Sequence, residues 1–212
     1  MNRTDALWPF GRYSLGALAA GAARLRAYGK ERVPREGGFI IALNHVSWID
    51  IPLFAFANPR NTYYIAKAEA HAVPGLGQFI RAFGSFAVRR GESDREAVRR
   101  MREIVREGGC LGVFVEGTRQ RSGVLGPIQP GAAMVAMKEE VPIVCGAVYG
   151  TRDWKIGNFA PCSIAWGTPW SVEGMTRDEV SDKIAGELRT LTAWLEAMHE
   201  RGRRPWKATP PS

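Results

Sequence analysis

From Phe39 onward the chain alternates short apolar runs with stretches of helical periodicity, and this alternation limits the folds open to it. The runs are Phe39 to Leu43, Thr62 to Ala66, Ser85 to Val88, Leu111 to Val115, Ile143 to Val148 and Ser163 to Trp166. Each has the length of a strand, and helical patterns lie between them, which is the reading of an α/β domain. One helix is announced by Ser93 and Glu96 as a capping box, then by the face Ala97, Val98, Met101, Ile104 and Val105, and is stopped by Gly108 and Gly109. The last helix opens at Thr176 with Glu179 as box partner and carries the stripe Val180, Ile184, Leu188, Leu191 and Leu195. No Pro/Gly/Ser-rich linker divides the 212 residues, so one domain is expected over 29–200, with an N-terminal appendage over 1–28 and a basic tail over 201–212.

The appendage has two readings. Its longest uncharged run, Tyr13 to Ala23, falls short of the roughly 20 apolar residues of a spanning helix. Leu7, Leu18 and Leu25 fall within about 20° of one another on a helix through residues 5–27, flanked by Trp8, Phe10 and Leu15, with Arg12 and Arg24 off the stripe. That suits an amphipathic helix lying in a membrane interface, and equally a helix packed on the domain. Basic residues at Arg24 and Arg26 argue against a cleaved signal peptide. The tail, with Arg201, Arg203, Arg204 and Lys207, reads as a solvated terminus, each charge of which anionic lipid would attract by about 1 kcal/mol.

Chemistry concentrates at two strand ends. After Leu43 comes NHVSWID, residues 44–50, which places His45 five positions before Asp50. With Ser47 as N-cap of a helix opening at Trp48, Asp50 is the third helical residue, and its side chain leans back toward His45. A carboxylate on one ring nitrogen fixes the tautomer and leaves the other nitrogen to take a proton from a hydroxyl. The competing reading makes Asp50 merely the partner in a capping box.

The second end is LGVFVEGTRQR, residues 111–121. Ligands of open α/β sheets bind at the carboxyl ends of strands. Here Gly117 lets the backbone turn closely, Thr118 offers a hydroxyl, Arg119 offers a planar fork suited to phosphate, and Arg121 adds charge. Alternatively, Glu116 and Arg119 form an ion pair that braces a turn.

Net charge is +8 and the pI near 9.8, which calls for an anionic partner: a membrane surface, nucleic acid or a phosphorylated substrate. The basic residues are dispersed and no nucleic-acid motif is present, so nucleic acid is set aside. Cys110, Cys145 and Cys162 show no CxxC and no His at ligand spacing; they read as buried free thiols in a reducing compartment, and no metal is expected. No GxSxG elbow is present, which disfavours a serine hydrolase.

With these residues in view, the chain resembles the glycerolipid acyltransferases typified by 1-acyl-sn-glycerol-3-phosphate acyltransferase, over roughly residues 28–170. NHVSWID looks like the family's NHxxxxD block, with Pro52 beyond the Asp, and VFVEGTR looks like its F-P-E-G-T-R block. GSFAVRRGE, residues 84–92, resembles the intervening block, its Arg being Arg89; VPIVCGAV, residues 141–148, resembles the closing one.

The resemblance implies a mixed, largely parallel sheet flanked by helices. It also implies acyl transfer from acyl-CoA or acyl-carrier protein to a lysophospholipid hydroxyl, without a cofactor. His45 would be the general base and Asp50 its orienting partner. Asn44, Glu116, Gly117, Thr118 and Arg119 would belong to the substrate site, with Arg119 facing the acceptor's phosphate and Arg89 and Lys67 assisting. A monomer working peripherally at the cytoplasmic face of the cell membrane is expected, with the N-terminal helix and Val73 to Phe79 as membrane-facing rim.

Four residues depart from the pattern. Val115 replaces Pro, Val88 stands where an Asp often precedes the block's Arg, and Gln129 with Pro130 replaces a commonly basic segment. They leave the chemistry intact but open the headgroup to a nonphosphorylated lyso-lipid; the competing readings are the same chemistry on another acceptor such as glycerol 3-phosphate, and lipid binding without turnover.

Overall fold

The computed structural model describes residues 9, 11–75, 77, 78, 80, 84–88, 95–202 and 204–212. Its centre is a seven-stranded sheet. The strands are β1 (Arg26–Tyr28), β2 (Phe39–Leu43), β3 (Thr62–Lys67), β4 (Ser85–Val88), β5 (Cys110–Phe114), β6 (Ile143–Tyr149) and β7 (Ser163–Trp166). They lie in the order β1-β7-β6-β2-β5-β3-β4, all neighbours parallel except the antiparallel pair β6 and β7.

β2 is buried at every position, because a central parallel strand is covered on both faces. Its side chains divide with period two. Ile40 and Ala42 join Leu111, Val113, Cys145 and Ala147 on one face, under α4 (Arg95–Arg106), α5 (Gly131–Glu139) and α6 (Arg177–Glu200). Phe39, Ile41 and Leu43 join Val144, Val148 and Trp166 on the other, under α1 (Ala17–Ala22) and α2 (Asp50–Ala57). Gly146 lets Trp166 reach this face, since a Cβ there would stand 2.5 Å from the indole and 2.8 Å from Leu43. The short α3 (Ala68–Ala72) follows β3.

The expected α4 face is inside, with Ala97, Met101, Ile104 and Val105 buried and Val98 half-buried. Its capping residue Ser93 lies outside the described residues. The box at α6 is present, Thr176 Oγ1 accepting from Glu179 N–H and the Glu179 carboxylate accepting from Thr176 N–H at 2.7 Å, and all five stripe residues are buried.

Three expectations change. The helix expected over residues 5–27 ends at Ala22: a π-helical turn, Arg12–Gly16, runs into α1, and Arg24 then adopts a left-handed conformation (φ 44°). The backbone of residues 26–28 thereby turns into β1 and pairs with β7, so the sheet begins inside the expected appendage. Leu25 packs on the core while Leu18 points outward; Leu7, Trp8 and Phe10 lie outside the described residues.

The basic tail is docked rather than solvated. Arg32 donates to Pro210 O at 2.7 Å and Pro211 O at 2.9 Å, Arg204 to Arg24 O and Cys162 O, and Tyr28 Oη to Pro205 O. The Arg26 guanidinium lies over the Trp206 ring. Guanidinium groups collecting backbone carbonyls hold this segment along the β1 edge.

The turn after β2 is also built differently. Ile49, not Ser47, occupies the cap position, and α2 opens at Asp50 with no side-chain cap. Asp50 N–H donates to Ser47 O at 3.3 Å, while Ser47 N–H reaches the Asp50 carboxylate.

Candidate active site

β2 and β5 are adjacent and parallel, with Leu43 opposite Phe114, so the two motif-bearing loops leave the sheet side by side. Just past β2, Asn44 is buried and both ends of its amide are engaged with Val148: Nδ2 donates to the carbonyl at 3.1 Å and Oδ1 accepts the N–H at 2.8 Å. A side chain thus takes over a ladder rung beyond the strand, and His45 is lifted off the sheet edge at a fixed point.

His45 is then held on every side but one. Its N–H donates to Glu116 Oε2 at 2.7 Å, and its carbonyl accepts Gln120 N–H at 2.7 Å. The imidazole stacks on Phe114, centroids 4.1 Å apart and planes 27° from parallel. Nδ1 is 2.9 Å from Asp50 Oδ2. That same oxygen accepts the N–H groups of Val46 and Ser47, each at 2.7 Å. One oxygen thus both braces the turn and pairs with the imidazole, whereas the capping box expected at Ser47 is absent. A carboxylate oxygen can only accept, so in the neutral imidazole the proton is on Nδ1 and the lone pair on Nε2. Nε2 has no partner among the described residues, and the side chain is 14% exposed, enough for a small group to reach it.

Glu116 sits beneath this arrangement. It is 5% exposed, and its oxygens accept the N–H of His45 and, at 2.8 Å, the N–H of Gly126. Burial raises its carboxyl above the ordinary range, and the hydrogen bonds from Gly126 and His45 oppose that rise. Both oxygens are spent on backbone donors, and among the described residues there is no ion pair to Arg119.

Gly117, at φ 67°, turns the chain and donates to Phe114 O at 2.9 Å. Thr118 and Arg119 then stand exposed on the loop, where Thr118 Oγ1 accepts from Gln120 Nε2 at 3.3 Å; Arg121 is exposed as well. Lys67 closes β3, next to β5 in the sheet. Arg89 lies outside the described residues. The structure thus brings His45, Asp50 and Glu116 into one hydrogen-bonded assembly, pins Asn44 next to it on Val148, and leaves Thr118 and Arg119 exposed beyond the Gly117 turn. Residue-by-residue reading misses Phe114, Gln120 and Gly126. An aromatic two positions before Glu116 is the available signal for the first; the other two act through backbone and leave none.

A rim of apolar side chains lies beside His45. Trp48 is exposed and meets Trp154 edge-on at 5.7 Å, and Trp154 Nε1 donates to Ala22 O at the end of α1. Ile51 on α2 and Tyr13, Leu15 and Leu18 on the N-terminal helical segment are also exposed. Gly16, in the turn before α1, allows this packing, since a Cβ there would stand 3.2 Å from Phe56 on α2. Among the described residues no helix is long and apolar enough to cross a membrane.

Known proteins are similar to this chain in sequence and in fold. The acyltransferase family model matches residues 24–149, more than half of the chain. The 1-acyl-sn-glycerol-3-phosphate acyltransferase of Bacillus subtilis is 30% identical over 132 residues, 62% of this chain and 65% of that protein, so the match stops short of two thirds of the relative's length. The enzyme of the same name from Limnanthes douglasii is 28% identical over 196 residues, 84% of this chain and 69% of that one. A lyso-ornithine lipid O-acyltransferase of Pseudomonas aeruginosa is 37% identical over 86 residues, 40% of this chain and 32% of its own length. Among solved structures, the 1-acyl-sn-glycerophosphate acyltransferase of Thermotoga maritima superimposes with a TM-score of 0.73 at 23% identity, covering 92% of this chain and 80% of that one, which establishes the fold. The chain belongs to the acyltransferase family.

Proposed function

We propose that the protein transfers an acyl chain from a thioester, acyl-CoA or acyl-carrier protein, to the free hydroxyl of 1-acyl-sn-glycerol 3-phosphate, giving phosphatidic acid. The observation that carries this reading is the 2.9 Å pairing of His45 Nδ1 with Asp50 Oδ2, which leaves Nε2 open beside the loop bearing Thr118 and Arg119. The acceptor's hydroxyl proton passes to Nε2 as its oxygen attacks the thioester carbonyl carbon. The tetrahedral adduct collapses by breaking the C–S bond, and the thiolate takes the proton back from the imidazolium. Asp50 stabilises the imidazolium in between. The products are an ester and a free thiol.

Arg119 supports recognition of the phosphate, being exposed and without an ion pair among the described residues. The exposed rim of Trp48, Ile51, Leu15 and Leu18 supports peripheral attachment to the membrane that holds the acceptor, at its cytoplasmic face. Val73, just past α3, is exposed as well; Leu76 and Phe79 lie outside the described residues.

A second acceptor class is favoured by one observation: the Pseudomonas relative is named for a lyso-lipid with an ornithine headgroup. Val115 and the Gln129–Pro130 segment depart from the block pattern in this same region.

The test is release of free thiol from acyl-CoA, and in parallel from acyl-carrier protein, with and without each acceptor, beside His45→Ala. A general base contributes about 10² to 10⁴ in rate, so His45→Ala should approach background. Thiol release without acceptor would identify a hydrolase instead. Acceptor-dependent release that survives His45→Ala would remove the proposed base.

A further inference from the structure

The loop that joins β6 to β7 buries Trp154 but exposes two large apolar side chains, Ile156 at 83% and Phe159 at 58%. Loops of this length are usually polar at the tip, so this pair calls for a reason. Phe159 also sits in the left-handed region, φ 48°, which a bulky L-residue adopts only where its surroundings enforce it.

Asn158 does the enforcing. Its Oδ1 accepts the N–H groups of Lys155 and Ala160, both at 3.1 Å, and its Nδ2 donates to Asp153 O at 2.8 Å. Its own N–H closes the turn on Lys155 O. The loop is therefore a built platform that turns its apolar tips outward.

Its position is equally constrained. It leaves β6 at the same sheet edge as His45, one residue after Val148, the partner of Asn44. Arg152 Nη1 donates to Ser122 O at 3.0 Å, tying it to the loop after Glu116. Trp154 ties it to Trp48 and, through Ala22 O, to the end of α1. Exposed Arg152 and Lys155 flank the tips with Asp153 between them, and Arg24, Arg119 and Arg121 stand exposed on the neighbouring segments.

We infer that the 152–159 loop is a second membrane-inserting element, in which Ile156 and Phe159 enter the acyl-chain boundary of an anionic bilayer while Arg152 and Lys155 meet the headgroups. This rests on the reading of the protein as an enzyme of membrane lipid. Apolar tips ringed by cations are the chemistry of an interfacial anchor. Together with the exposed Leu18 of α1, the tips of this loop would give the protein a second point of attachment. A single amphipathic helix would leave the body free to pivot.

The experiment uses the full chain. Cys110, Cys145 and Cys162 are buried, with burial pushing the Cys110 thiol up to about 11 and the Cys162 thiol up to about 12, so an introduced surface cysteine labels selectively. Ile156→Cys and, at the opposite end of the sheet, Glu173→Cys are labelled with an environment-sensitive fluorophore and mixed with phosphatidylglycerol and phosphatidylcholine vesicles. Position 156 should shift to the blue and be quenched by nitroxide-labelled acyl chains, while position 173 should do neither. In flotation, Ile156→Glu/Phe159→Glu should lower vesicle partitioning about tenfold or more, as loss of apolar burial does. Leu18→Glu gives the separate share of α1. Turnover on substrate in detergent micelles should persist in the double variant and verifies its fold. A label at 156 that stays aqueous on floated protein would overturn the proposal, as would wild-type flotation of the folded double variant. Failure of the acyl-transfer reading would show in the thiol assay and leave the label result standing.

Discussion

Glu116 accepts the backbone N–H of His45 at 2.7 Å. Its other oxygen accepts Gly126 N–H, so one buried carboxylate joins the loop of the base to the segment that closes over the following loop. With both oxygens engaged by backbone donors, we propose that it acts through His45 rather than on the acceptor, as a positioning residue.

Glu116→Gln should therefore behave like Glu116→Ala. A carboxylate offers two acceptors to two N–H donors, whereas an amide must turn its NH₂ toward one of them, and an unpaired buried donor costs about 1–3 kcal/mol. Steady-state kinetics should show kcat falling with KM for the acceptor near wild type. A selective rise in acceptor KM would assign Glu116 to acceptor binding instead.

Asp50 separates chemistry from architecture in the same way. Asp50→Asn keeps an oxygen for the Val46 and Ser47 N–H groups and removes the charge that stabilises the imidazolium. Turnover should drop about 100-fold or more, as loss of an efficient general base does, with little change in melting temperature. Asp50→Ala leaves His45 Nδ1 and the partly buried Val46 and Ser47 N–H groups without their acceptor and should also lose about 2–4 kcal/mol of stability, read by chemical denaturation. Equal stability of the two variants would contradict the bracing role.

Arg119 is expected to report on the headgroup. A hydrogen bond between charged groups contributes about 1.5–3 kcal/mol, so Arg119→Ala should raise KM for a phosphorylated acceptor about 10- to 100-fold with kcat little changed. An acceptor panel with one donor measures this. If turnover of a lyso-aminolipid is also unaffected by the substitution, the phosphate assignment stands; an unchanged KM for both would remove it.

A pH effect on stability follows from His199, whose Nε2 lies 2.9 Å from buried Ser163 Oγ. Burial, with the nearby Arg204 charge adding to it, holds its pKa down to about 4 from 6.5. The unfolded chain binds the proton first, so stability rises with pH through the window from about 4 to 6.5 and is lost on acidification through it. Melting temperatures across that window should fall on the acid side, and His199→Gln should flatten the fall.

These predictions concentrate where sequence reading stops. The fully apolar runs that became β2, β5 and β6 were legible because a strand covered on both faces admits little else, and the α6 box and stripe were legible because their spacing has one structural meaning. The His45–Asp50 pair was legible as a spacing, though not as an oxygen shared by three donors. Other features depend on distant backbone. β1 is three residues, Arg-Ala-Tyr, adjoining a helical stripe, and only β7 makes it a strand. The tail composition suggests solvent, yet the Pro210 and Pro211 carbonyls meet a guanidinium 178 and 179 residues away in sequence. Glu116 looked like an ion-pair partner for Arg119 because a sequence displays side chains and hides the N–H groups of residues 45 and 126.

The face of the imidazole covered by Phe114 sets a direction of approach. Phe114 is itself backed by Tyr64, stacked at 6.1 Å, and by Phe54, edge-on at 6.1 Å, so the floor under His45 is a rigid aromatic pile rooted in the core. An imidazole lying on such a floor cannot tilt to meet its substrate. In the proposed reaction the hydroxyl would come to the lone pair within the plane of the ring, so the aromatic floor would select among acceptors by the line along which they present their oxygen.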